Sequence, residues 1–258
     1  MNRIVIGMCV CNNEMTVANA IHSVLAQREF LRELTLFISI DSSQDASADI
    51  VQSFLPNSKI IIEHVQLGRA SLNRNYIMDR VHACFPEGCI LGRLDADDEI
   101  CDDLTLAKVE QEWDRHRPDV MLMGNRQRDE SGITPWVNRP DKRLLDPSYL
   151  QQRLEGMAAG NATCELPSCN TFIRSTLPIR YPDVRSAEDH WFSVLLLLHQ
   201  HQYNIHIAEE LLYCIYAING AASSNNKDQG AYTSSRQQLL QYFIQMQQAH
   251  EPQTFAGT

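Results

Sequence analysis

The most telling absence in these 258 residues is a long apolar run. The longest unbroken aliphatic stretch, Val194 to Leu198, is far too short to span a bilayer. Basic charge is scarce as well: 22 Lys and Arg face 32 Asp and Glu, for a net charge of −10, which argues against nucleic acid as a partner. The eight cysteines form no paired CxxC pattern, so a zinc ribbon is not expected. The chain enters an apolar strand at Arg3, which leaves no room for an export signal and predicts reduced, mostly buried thiols in a cytoplasmic protein. No GxGxxG fingerprint and no P-loop follows any strand, which disfavours dinucleotides and P-loop chemistry. What remains, 44% hydrophobic and 21% charged, is ordinary for a globular protein of one large domain or two small ones.

Patterning along the chain is strand, loop, helix, repeated. Arg3–Val10 is apolar and β-branched, Asn12 or Asn13 is placed to cap a helix, and Val17, Ile21, Val24 and Leu25 recur at helical spacing. Leu34–Ile40 is a second strand, ending in the Ser/Asp-rich turn Asp41 to Ser47 before Ala48, Ile50, Val51 and Phe54. Lys59–His64 is a third, followed by a loop and helix from Gly68 to Val81 that carries Arg74 and Asn75. Strands alternating with helices build a parallel sheet from βαβ units, whose ligand groups gather at the carboxyl edge. After a helix over Leu104–Trp113 and a strand over Val120–Gly124 the alternation stops. The polar, proline-bearing stretch from Arg126 to Tyr149 reads as a hairpin or mobile loop, in which Trp136 is expected to pack. Strands are expected at Thr171–Arg174 and Leu211–Ile218, an apolar helix at Trp191–Leu198 and a loop at Asn219–Gln229. A terminal amphipathic helix follows from Ser235 to His250, docked on its own domain or on a partner subunit. It lacks the basic face of a membrane-surface helix.

The fourth strand is the one the rest is arranged around. Cys89-Ile90-Leu91-Gly92-Arg93-Leu94 breaks into Asp95-Ala96-Asp97-Asp98-Glu99, delivering carboxylates to the sheet edge. In extended chain Asp95 and Asp97 leave the same face, and a pair of oxygen ligands suits a hard divalent cation that carries a diphosphate. A solvated turn or a helix cap is the commoner origin of such a triplet. Further on, Ser186 is placed to cap the helix after Glu188-Asp189, with Asp189 completing a capping box.

Taken together these segments resemble the inverting, nucleotide-sugar-dependent glycosyltransferases of family two, which have the GT-A fold. The resemblance covers about residues 3 to 225. Val5 to Glu14 and Ala20 to Gln27 look like the opening strand and its "SVLxQ" helix, and Asp41 to Ser47 like the "DGSTDGT" turn. Gly68 through Arg74-Asn75 matches "G…RN", Leu94 to Asp98 matches "LDADD", and Glu188-Asp189 matches the later "ED".

The resemblance implies an α/β fold of GT-A type, a Rossmann-like, mostly parallel sheet flanked by helices. A nucleotide-binding half would span 1–103, an acceptor-binding half 104–225 and a terminal loop and helix 226–258. Donor contacts would come from Cys9, Val10, Cys11 and Asn13, from Asp41 to the base, from Gly68 and Arg74, and from Asp95 and Ala96 near the ribose. Asp97 would ligate Mg²⁺ or Mn²⁺, with Asp95 reaching it through water. Asp189 would be the base, with Glu188 as its alternate, and His190 and Trp191 would face the acceptor. The implied partners are a nucleotide sugar, with UDP as the expected nucleotide, and a glycan or small-molecule hydroxyl. The inner face of a membrane and an oligomer through the terminal helix are both compatible with this.

Two departures stand out. Cys9-Val10-Cys11 replaces the family's Pro-x-Tyr, so the tyrosine that often stacks on uracil is missing, and Tyr216-Ala217-Ile218-Asn219 replaces "YRxH". The alternatives are a sugar-nucleotide nucleotidyltransferase, whose Gly-rich first loop is absent, and a non-catalytic nucleotide-sugar-binding module.

Overall fold

The structure, a computed structural model, describes residues 1–164, 166, 170–184, 186–218 and 229–250. Its first half is the expected alternation: β1 (Arg3–Val10), α1 (Val17–Leu25), β2 (Glu33–Asp41), α2 (Ser47–Gln52), β3 (Ile60–Val65), α3 (Ala70–Cys84) and β4 (Ile90–Arg93). A two-residue strand, β5 (Glu99–Ile100), and α4 (Thr105–His116) come next. The second half comprises β6 (Val120–Asp129), β7 (Gly132–Asn138), a 3₁₀ turn (Lys142–Leu145), α5 (Pro147–Ala158), β8 (Thr171–Arg174), α6 (Glu188–Leu198), β9 (Ile205–Ala217) and α7 (Gln229–His250).

All the strands join one sheet in the order β3-β2-β1-β4-β8-β6-β9-β5, with β7 on β6. Pairing is parallel through β3, β2, β1 and β4 and again between β6 and β9, and antiparallel where β8 enters between β4 and β6. Helices cover both faces, which is why β1 and β2 read as continuous apolar runs. Alternation assigns Ile4, Ile6 and Met8 to the core beneath α1 and α4, and Val5 to the core beneath α3, α5 and α6.

The stretch expected to be a hairpin or loop is the long β6–β7 hairpin, followed by the first turn of α5, where Asp146 caps the helix by accepting from the N–H of Ser148 and Pro147 opens it. Trp136, expected to pack, stands 37% exposed on β7, because that strand pairs only with β6. The terminal helix starts at Gln229, earlier than expected, and docks on the chain itself. Leu239 and Phe243 are buried in the α5–α6 core, and Ser235 Oγ donates to the carbonyl of Ser186. The loop expected at 219–229 lies, apart from Gln229, outside the described residues. Among the described residues no helix is long and apolar enough to cross a membrane.

Candidate active site

Three loops meet at the carboxyl edge of β1, β2 and β4. Asn12 and Asn13 do not cap α1. They fasten the β1–α1 loop to the β2–α2 loop: Asn12 Oδ1 accepts the N–H of Gln44 (2.8 Å), the Asn13 N–H donates to Ser47 Oγ (2.7 Å), and Glu14 Oε2 accepts from Ala46 (3.0 Å). Asp41, buried at the end of β2, accepts the N–H groups of Leu67 (2.8 Å) and Gly68 (2.9 Å) through its two oxygens. It thereby clamps the β3–α3 loop, in which Gly68 has φ +68°, a backbone state suited to glycine. Val10 and Ala96 are buried in the core, so only their backbone is placed for a ligand, while Cys11 is exposed. Burial pushes the Cys9 thiol up to about 12, so it stays protonated.

Asp95 and Asp97 do not share a face. The chain turns at once after β4, where the N–H of Asp98 bonds to the carbonyl of Asp95 (3.0 Å), and the i, i+2 rule ends with the strand. It is Arg93 and Asp95 that leave the same side. Arg93 Nε donates to Asp95 Oδ1 at 2.8 Å and its Nη2 to Oδ2. Arg74 Nη2 approaches Oδ1 at 3.5 Å, and Arg74 Nη1 pairs with Glu188. The Arg74 guanidinium lies 5.5 Å from the Tyr181 ring centroid, and Tyr181 is stacked on Phe192. Asn75 supports this wall by exchanging two 2.8 Å hydrogen bonds with the backbone of Tyr181.

Asp189 belongs to the same cluster. The capping box expected from Ser186 does not form. Ala187 occupies the cap with φ +57°, the Ser186 carbonyl is taken by Ser235, and the Asp189 carboxylate accepts the N–H of His190 (2.8 Å). Burial raises the proton affinity of Asp189, but His190, Arg93 and Arg74 outweigh it and hold the carboxyl well below the usual carboxylate range. Asp95 behaves alike: burial is outweighed by Arg93 and Arg74. His190 is buried beside Asp189. Trp191 turns away from the site, because its Nε1 donates to Ser235 Oγ (3.1 Å) and its ring lies against Tyr242 of α7. It is therefore placed for packing rather than for an acceptor.

Asp97 faces elsewhere, into an open cleft of about 440 Å³ lined by Asn12, Asn13, Glu14, Asp45, Arg128 and Asp129 among others. That volume lies within the range of ligand sites. Arg128 of β6 pairs with Glu99 and reaches the carbonyl of Asp97 (3.3 Å). Asp98 is structural: buried, it accepts the N–H of Ala217 (2.9 Å) and ties the end of β9 to this turn. Acids predominate in the lining of the cleft around Asp97, with Met15 and the Arg128 guanidinium beside them, and their carboxylates are the oxygen donors preferred by a hard cation such as Mg²⁺ or Mn²⁺ that keeps several waters.

Arg93 and Arg128 are the site residues that sequence reasoning missed. Arg93 was findable, since it alternates with Asp95 as Asp95 was expected to alternate with Asp97. Arg128 was not, because only the pairing of β6 with β9 carries it to the cleft.

A protein-family model described as "Glycosyl transferase family 2" matches residues 5–177, more than half of the chain. No curated protein sequence matches. Among solved structures, S. aureus TarS 1–349 in complex with UDP-GlcNAc is 17% identical with a TM-score of 0.66, over 96% of this chain and 73% of that one. A mannosyltransferase, PcManGT from Pyrobaculum calidifontis in complex with GDP-Man and Mn²⁺, is 12% identical with a TM-score of 0.55, over 99% of this chain and 76% of that one. At these identities the likeness establishes the fold.

Proposed function

The chain belongs to glycosyl transferase family 2, and from that premise we propose that it transfers a sugar, with inversion, from a nucleotide donor to an acceptor hydroxyl with the help of a divalent metal. The observation that carries this reading is the turn from Asp95 to Asp98, which joins an acidic cleft bearing Asp97 to a buried arginine–carboxylate cluster bearing Asp189. On this reading the nucleotide and diphosphate occupy the cleft beside Asn12, Asn13 and Arg128. Asp97 and water would hold Mg²⁺ or Mn²⁺, whose chemistry is to neutralise charge developing on the leaving diphosphate. Arg74 and Arg93, fixed by Glu188 and Asp95, supply preorganised positive charge near the reacting centre. Asp189 takes the proton of the attacking hydroxyl, and its neighbours keep it ionised for that task. UDP is the nucleotide we favour, since TarS, the TM-score 0.66 neighbour, was solved with UDP-GlcNAc. A glycan or small molecule is the acceptor class.

Calorimetry with UDP-sugars and Mn²⁺ tests the donor half of this reading. Asp97→Ala should abolish the metal-dependent part of donor affinity while leaving the fold intact. Donor affinity that is the same in both proteins, with or without EDTA, would remove Asp97 from the site.

A further inference from the structure

Away from the cleft, three side chains converge where the end of α4 meets the start of β9. Glu112 and His116 are four residues apart on α4 and so share one helix face. His206 comes from the second residue of β9. Glu112 Oε2 lies 3.1 Å from His206 Nε2 and 3.4 Å from His116 Nε2. The two imidazoles are stacked, with centroids 3.8 Å apart and planes 14° from parallel, so one ring turns about its Cβ–Cγ bond when both nitrogens ligate a single ion. One ligand atom from each of the three lies within 4.8 Å of the others.

We propose that Glu112, His116 and His206 form a second metal site, one for a borderline cation such as Zn²⁺, that braces α4 against β9. Tetrahedral zinc with bonds of about 2.0–2.1 Å places its ligand atoms about 3.3 Å apart. From the shared Glu112 oxygen the two imidazole nitrogens lie at 3.1 and 3.4 Å, close to that spacing, and the three ligand atoms are within 4.8 Å of one another. Two imidazoles with one carboxylate select zinc-like ions over Mg²⁺, which prefers oxygen. The site is thus chemically distinct from the mainly acidic surroundings of Asp97. A surface ion pair needs only one histidine beside Glu112; here two, from different elements, lie within 3.4 Å of the same oxygen. The side chains of Glu112, His116 and His206 are 25%, 40% and 16% exposed, so an ion reaches them without unfolding and a water has room at the fourth position. The brace would reinforce an existing seam, in which Asn204 Nδ2 donates to the carbonyls of His116 (3.2 Å) and Arg117 (3.3 Å). Its effect is on stability rather than on the transfer step.

The test strips the full chain with a chelator and titrates Zn²⁺ by calorimetry, with bound metal counted after dialysis. His116→Ala and His206→Gln are compared with the parent, all in an Asp97→Ala background so that the cleft does not contribute. One equivalent of Zn²⁺ should bind the parent and raise its melting temperature, because the ion binds the folded form. Each variant should bind it roughly tenfold or more weakly, with the rise in melting temperature lost. Co²⁺ in place of Zn²⁺ should give a visible ligand-field absorption that His116→Ala abolishes. His116 is on the solvent side of α4, so that variant decides the matter even if His206→Gln fails to fold. Zn²⁺ that binds parent and His116→Ala alike, or does not bind the parent at all, overturns the proposal.

Discussion

Within the buried cluster each charge is defined by its neighbours. Arg93 grips Asp95 with two donors, Arg74 is shared between Asp95 and Glu188, and Asp189 is held ionised without a guanidinium of its own at hydrogen-bond distance. On the proposed reading Glu188 is committed to Arg74, and Asp189 is the carboxylate assigned to the base role. Asp189→Asn keeps the shape and the bond to the His190 N–H while removing the basic oxygen. Donor binding should persist while the transfer rate falls by about 10²–10⁴-fold, as for loss of a positioned base. Because its neighbours hold the Asp189 carboxyl below its ordinary value, protonation of this group should not slow the parent's transfer even at about pH 4, where an ordinary aspartate is about half protonated. A variant within tenfold of the parent would move the base to Glu188 or elsewhere.

At the scale of elements, β4 shows what local pattern reveals and what it hides. Its apolar run and its acidic end were legible, because a buried strand and a break into carboxylates are both written in consecutive residues. The direction of Asp97 was not, since it depends on where the strand stops, and strand ends are set by pairing. β4 pairs with β8 only over Ile90 to Gly92, so Asp97 lies beyond the ladder. In the same way the expected Ser186 cap gives way to Ala187 at φ +57°, while the Ser186 carbonyl is held by Ser235 of α7, more than forty residues away. Gly92 in β4 leaves no room for a side chain. A Cβ there would lie 2.3 Å from the ring of Phe172, its buried cross-strand partner, which also packs edge-on against Tyr213. Gly92→Ala should therefore destabilise the protein by about 1–3 kcal/mol through overpacking, read as a shifted denaturant midpoint with unchanged slope. A midpoint equal to the parent's would mean that Phe172 has room to move.

For the whole molecule, the first four strands present their loops at one edge, and β6 and β9 bring Arg128 and Ala217 to the same rim from the second half. Acids are held ionised at this edge and elsewhere on the molecule. Hydrogen bonds from Arg80, Arg32 and Arg143 lower Glu63, Asp114 and Asp141, the last to about 2, and the buried Asp95 and Asp189 are lowered by Arg93 and Arg74 against the cost of burial. Each of these groups has a folded pKa below its unfolded one. Each therefore contributes stability that is complete above the unfolded value, near 4, and is lost as pH falls toward the folded value. The exposed pairs contribute little after solvent screening, so Asp95 and Asp189 should dominate. The melting temperature is expected to be nearly flat from pH 7 to about pH 5 and to drop steeply below about pH 4. Repulsion among 22 Lys and Arg and nine His, no longer offset by carboxylates, steepens that drop. Asp189→Asn deletes one of the two dominant titrating groups, so its melting temperature should fall less between pH 5 and pH 2.5 than the parent's does, by calorimetry in the same buffers. Parallel curves for the two proteins would show that the buried cluster does not carry the acid limit, and a parent curve still flat at pH 3 would show that none of these carboxylates does.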